Sequence, residues 1–138
     1  MILVIRIAGL VEIPPQPQEA MFRMRLRRKY SAVLIEPTKE NMSLLETVRN
    51  FVAYGDINKE TLKLLIEKRA QSIDKKKINA ETIIEQMNKK DLESLGVKPF
   101  FRLHPPRGGI DSKIHFPRKK GVLGDNKEKI NDLVRRML

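Results

Sequence analysis

Hydrophobic positions in the first third of the chain come as short continuous runs separated by prolines and charges. Ile2 to Ala8 is apolar and rich in β-branched residues, broken only by Arg6, and it reads as a strand ending near Gly9. Pro14, Pro15 and Pro17 hold off regular structure until about Gln18, after which Ala20, Met21 and Met24 can face a core from a short helix. Ser31 to Glu36 is a second strand, whose continuous Ala32, Val33, Leu34 and Ile35 imply burial on both faces. Pro37 stops it, and Thr38 can cap a helix carrying Met42, Leu45 and Val48 on its inner side. Phe51 to Tyr54 then suggests a third strand that stops at Gly55 and Asp56. Residues 1–56 therefore predict an α+β core of strand, helix, strand, helix and strand, with the helices on one face of a small antiparallel three-stranded sheet.

The pattern changes after Ile57. Asn58 can cap a helix whose Leu62, Leu65, Ile66 and Ala70 recur at helical spacing. Asn79 can start a second helix with Ile83, Ile84 and Met87, and Leu92 with Leu95 marks a short third one ended by Gly96. Apolar stripes of this kind pack on a core. Residues 57–97 thus read as a helical elaboration of a single 138-residue domain, followed by a basic loop and a terminal helix in residues 98–138. In that last helix Ile130, Leu133, Val134 and Met137 share one face, with Asp125 as cap and Glu128 completing a capping box.

Charge singles out two stretches. The net charge is +11, of which residues 1–30 carry +4, residues 31–100 only +1 and residues 101–138 +6. If folding joins the two ends, a nearly neutral body carries one basic face, the footprint of a protein that binds a phosphate backbone. Arg25, Arg27, Arg28 and Lys29 crowd the end of the first helix beyond what capping requires, with Leu26 as an anchor. Between Lys98 and Gly124, Arg102, His104, Arg107, Lys113, His115, Arg118, Lys119 and Lys120 sit on a backbone stiffened at Pro105 and Pro106 and freed at Gly108 and Gly109. Arginines can grip phosphate with two parallel hydrogen bonds, and glycines let backbone N–H groups come close to it. With only seven aromatic residues, recognition of RNA shape and backbone is expected rather than base stacking.

Other classes fit less well. No cysteine is present, so disulfide frameworks and thiolate metal sites are excluded. No apolar run approaches the roughly 20 residues of a membrane helix, and Arg6 interrupts the N-terminal run too early for a signal peptide; a soluble, cytoplasmic protein is expected. A catalyst built on His104, Asp111 and His115 lacks metal-ligand spacing and further carboxylates, and no phosphate-loop or dinucleotide motif occurs. Neither a cofactor nor a small-molecule substrate is expected. A free-standing RNA-binding regulator or RNA chaperone shares the electrostatics and stays open at this level.

Four stretches, RLRRKYSAVLIEPT at 25–38, VRNFVAYGDI at 48–57, FFRLHPPRGG at 100–109 and GVLGDNKEKINDLVRRML at 121–138, stand in that order along the chain. Their order and spacing resemble the archaeal form of the large-subunit ribosomal protein family numbered thirty in bacteria and archaea and seven in eukaryotes. The resemblance implies a ferredoxin-like core of three strands and two helices, and a non-catalytic role in translation, bound to large-subunit ribosomal RNA beside neighbouring ribosomal proteins. It implies RNA contacts at Arg27, Arg28, Lys29, Arg49, Arg102, His104, Pro106, Arg107, Gly108 and Gly109, to which the charge pattern adds Lys113, His115, Arg118, Lys119 and Lys120. It also implies a less proline-rich lead into the first helix than EIPPQPQEAMFRM.

Overall fold

β1 (Ile2–Arg6) is buried at all five positions, because it lies between two partner strands and is covered on both faces. A computed structural model of the chain describes residues 2–7, 13–36, 38–69, 83–85, 100–104, 112–115, 121–125 and 127–137. The elements after β1 are α1 (Pro15–Arg23), β2 (Ser31–Ile35), α2 (Lys39–Val48), β3 (Val52–Asp56) and α3 (Lys59–Arg69). They are followed by β4 (Phe101–Arg102), β5 (Ser112–His115), β6 (Gly121–Asp125) and a terminal helix, α4 (Ile130–Met137), entered through a 3-10 turn at Lys127–Lys129. The strand, helix, strand, helix, strand order of the core is as the hydrophobic pattern predicts.

The sheet is larger than three strands. Its order is β4-β2-β1-β3-β6-β5. β1 runs antiparallel to both β2 and β3, with Val4 opposite Val33 on one side and Tyr54 on the other, and β4 adds antiparallel to β2. β6 and β5 continue the sheet in parallel pairings. The expected basic loop therefore contains strands, and the α+β sheet is antiparallel in its four-stranded part and mixed beyond it.

Side chains alternate along β1 and so divide the core in two. Ile2 and Val4 join Ala20, Met21, Leu45 and Val48 under α1 and α2. Leu3, Ile5 and Ile7 face the other way, with Leu65 of α3 and Ile130, Leu133, Val134 and Met137 of α4. Helices thus cover both faces, not one as the first 56 residues suggested, because both sides of β1 are apolar and the second side takes its cover from residues distant in sequence. The four α4 residues are all buried as their spacing predicts. An eight-residue helix is too short to persist alone; burial of its apolar face, about 1.5–3 kcal/mol for each large side chain, holds it in place.

Helix starts follow local chemistry. Thr38 Oγ1 accepts from the Asn41 N–H at 3.3 Å, and Asn58 Oδ1 accepts from the Thr61 N–H at 2.8 Å, as predicted for both caps. α1 begins earlier than expected, at Pro15, with Pro17 also inside it. Proline costs little there because first-turn N–H groups have no intrahelical acceptor; the first such bond runs from the Gln18 N–H to the Pro14 carbonyl at 3.2 Å. Asp125 ends β6 opposite Tyr54, and α4 starts at Ile130. Of the two later helices expected in residues 57–97, only a helical turn at 83–85 with buried Ile83 falls within the described residues.

Two further contacts join α4 to the sheet. β3 runs through Gly55 to Asp56, where a methyl group on residue 55 would overlap the Lys127 carbonyl oxygen and crowd Ile130. The buried Asn131 side chain accepts from the Asn58 N–H at 2.9 Å and donates to the carbonyls of Glu128 at 2.8 Å and Asp56 at 3.2 Å. One amide thereby satisfies backbone groups at the end of β3, the start of α3 and the turn before α4.

Candidate nucleic-acid interface

The basic run after α1 is held in a defined turn. Leu26 donates its N–H to the Met21 carbonyl at 2.8 Å, and Arg25 donates to Phe22 at 3.0 Å. These are the two bonds of a Schellman helix end, completed by burial of both Leu26 and Met21. Arg25 occupies the left-handed position of that motif at φ 66°, where glycine is the usual residue. Leu26 is the anchor its sequence position suggested. The flanking Arg25, Arg27, Arg28 and Lys29 are exposed.

Arg6 locks this turn to the sheet. Its side chain is fully buried, and Nη1 donates to the Leu26 carbonyl at 2.6 Å. Burial pushes the guanidinium pKa down from its ordinary value through loss of solvation, yet arginine stays charged at neutral pH. The Arg6 carbonyl accepts from the Tyr30 N–H at 2.7 Å, and Ser31 donates to the Arg28 carbonyl at 3.2 Å. Tyr30 also has a left-handed backbone, at φ 66°. The turn is thus bonded at both ends to β1 and β2.

β4 brings the second basic stretch alongside. Arg102 lies opposite Ser31, and the Tyr30 carbonyl accepts from the Leu103 N–H at 3.1 Å. His104, exposed, donates its backbone N–H to the Met137 carbonyl at 2.9 Å, so the start of the segment is tied to α4. Between the turn and β4 lies an open cleft of about 600 Å³ lined by Arg23, Arg25, Arg27, Arg28 and Arg102, with Phe22, Phe100 and Ser31. No acidic residue lines it among the described residues. Arg23 is held by Glu19 at 2.7 Å, and the Arg102 guanidinium stands 5.8 Å from the Phe100 ring centre.

The structure thus brings Arg27, Arg28 and Arg102 together, with Lys29 beside them over the Tyr30 ring at 5.1 Å. Arg49 is exposed before β3, at the end of the sheet where Arg6 pairs with Val52, but it does not line the cleft. Lys113 and His115 are not neighbours of this cluster as one continuous basic loop would make them. They belong to β5, four strand steps from β2 and so roughly 19 Å away, because their segment is drawn into the sheet beside β6. His104 and His115 are likewise on opposite edges of the sheet, which separates two members of the catalytic trio considered above. Pro106, Arg107, Gly108, Gly109, Arg118, Lys119 and Lys120, and Asp111, lie outside the described residues.

Sequence reasoning left Phe22, Arg23, Arg25 and Phe100 out of the candidate site. Arg25 stood within the basic run, but nothing in its spacing signals a left-handed backbone that turns it toward Arg102. Nothing in the sequence singles out Phe22 or Phe100, and only their position in the lining of the cleft distinguishes them.

No protein-family model matches the chain. Curated relatives do, along nearly the whole length. It is 35% identical to the large ribosomal subunit protein uL30 of Archaeoglobus fulgidus over an alignment of 153 positions that covers 99% of each chain. It is 34% identical to the protein of the same name from Aeropyrum pernix, covering 98% of this chain and 97% of the relative, and 35% identical to that of Desulfurococcus amylolyticus, covering 98% and 96%. The resemblance carried by the four sequence stretches is therefore borne out: the chain belongs to the large ribosomal subunit protein uL30 family.

Proposed function

We propose that the protein is a structural, non-catalytic constituent of the large ribosomal subunit that holds ribosomal RNA through the arginine cleft between the α1–β2 turn and β4. The observation that carries this reading is the convergence of five arginines from two stretches far apart in sequence on one cleft. Guanidinium groups can form paired hydrogen bonds to phosphate, and together these five supply a positive field; Glu19 offsets Arg23 in part, while among the described residues no acidic side chain lines the cleft itself. The turn is bonded to β1, β2 and β4, so little ordering of backbone is needed on binding. Arg27, Arg28, Lys29 and Arg102 form the centre of the contact, with Arg49 and His104 at its margins, and further RNA contacts are proposed at Arg107, Arg118, Lys119 and Lys120 from their charge. A ferredoxin-like kinship fits the β1-α1-β2-α2-β3 order. Names of the archaeal relatives place those proteins in the large subunit, which supports a cytoplasmic, ribosome-bound protein with other ribosomal proteins around it.

Titrating the purified chain with large-subunit ribosomal RNA at increasing salt tests this. Affinity should fall steeply, by about 0.7 to 0.9 in the log-log slope for each phosphate neutralised. An affinity indifferent to salt would rule out backbone recognition, and loss of the protein from large subunits after a high-salt wash would favour a peripheral factor.

A further inference from the structure

We infer that the arginine cleft is a pocket for one unstacked nucleotide of the bound RNA: a base that leaves the helical stack lies against Phe22 and Phe100 while its flanking phosphates are held by the surrounding arginines. This deepens the RNA-binding reading above and rests on it.

Three observations point to a nucleotide rather than to a phosphate clamp alone. Phe22 is 40% exposed and, with Met42, makes up the exposed large hydrophobic residues among those described. A phosphate-gripping surface has no use for a phenyl ring in water, whereas a base has a π-face that stacks on it regardless of base identity. Phe100, half-buried across the same cleft, already carries the Arg102 guanidinium 5.8 Å from its ring centre, so an aromatic surface and a cation are presented together. The cleft volume, about 600 Å³, falls within the roughly 300–1,000 Å³ range of small-ligand pockets. A groove of this size admits a splayed-out base, the form in which proteins commonly read RNA.

The Arg25 backbone gives independent support. A left-handed arginine at a helix end is a strained choice where glycine would serve the turn equally well. Its side chain lines the cleft, alongside Phe22 and Arg102. The strained position is explained if the guanidinium is needed on a phosphate next to the inserted base.

The test uses the full chain and large-subunit ribosomal RNA, with Phe22→Leu, which keeps an apolar side chain and loses the ring, and Phe22→Tyr, which keeps the ring. Phe22 is exposed, so both variants should unfold like the parent. A nucleotide pocket requires that Phe22→Leu weaken RNA binding about tenfold at an unchanged salt slope, that Phe22→Tyr restore it, and that binding to a blunt RNA duplex be indifferent to either change. Wild-type affinity in Phe22→Leu, or equal weakening by Leu and Tyr, would overturn the pocket and leave backbone RNA recognition standing. A parent chain that failed to bind ribosomal RNA but bound a poly-glutamate peptide would overturn both.

Discussion

The fully buried guanidinium of Arg6 donates to the main-chain carbonyl of Leu26 at 2.6 Å, so the residue that breaks the apolar pattern of β1 is the one that fixes the basic turn. Replacing it by Met keeps much of the volume and leaves the Leu26 carbonyl without that donor. Arg6→Met should lower unfolding stability in urea by about 1–3 kcal/mol, the cost of a buried polar group losing its bond. RNA affinity should fall as well, because Arg25, Arg27 and Arg28 are carried by the same turn.

Arg25 separates stability from binding. Arg25→Gly removes left-handed strain of about 1 kcal/mol and adds a comparable loss of chain entropy, so the unfolding midpoint should stay level or rise slightly. The salt slope of RNA binding should drop by about 0.7 to 0.9. Equal affinity for parent and variant would remove Arg25 from the interface.

The double change Arg27→Ala, Arg28→Ala should act in the same sense and more strongly. Both side chains are exposed, so denaturant unfolding should shift little, while RNA binding weakens and its salt slope falls by roughly twice the single-site value. A large loss of stability with RNA affinity intact would make these residues structural.

Asn131→Leu tests the join between α4 and the rest of the chain. It leaves the Asn58 N–H and the Glu128 and Asp56 carbonyls without their side-chain partner, and stability should drop by about 2–3 kcal/mol in equilibrium unfolding.

Gly55→Ala tests the same join by sterics. The added methyl group meets the Lys127 carbonyl, a main-chain atom that cannot swing aside, so a loss of about 1–3 kcal/mol is expected in thermal unfolding, with α4 displaced.

Much of this architecture was legible in the residues themselves. Continuous apolar runs specified β1 and β2, Thr38 and Asn58 marked helix starts, and the spacing of Ile130, Leu133, Val134 and Met137 marked the buried face of α4, because burial and capping act over a few neighbouring positions. The excess charge at the two chain ends likewise announced a basic surface before any fold was known. Family membership also followed from the linear order of four stretches, which the archaeal relatives bear out.

Tertiary structure alone decided the rest. That Arg6 is buried, that Asp125 ends a strand opposite Tyr54, and that Lys113 and His115 stand on the far edge of the sheet are outcomes of strand pairing between distant segments. The cleft is of the same kind. Four of its arginines lie within residues 23–28 and the fifth is Arg102, and only the pairing of Ser31 with Arg102, together with the left-handed turn at Arg25, sets them and the two phenyl rings around one space. Local pattern specifies elements because its forces are short in range along the chain; a site made by register and chain reversal exists only once those elements have packed.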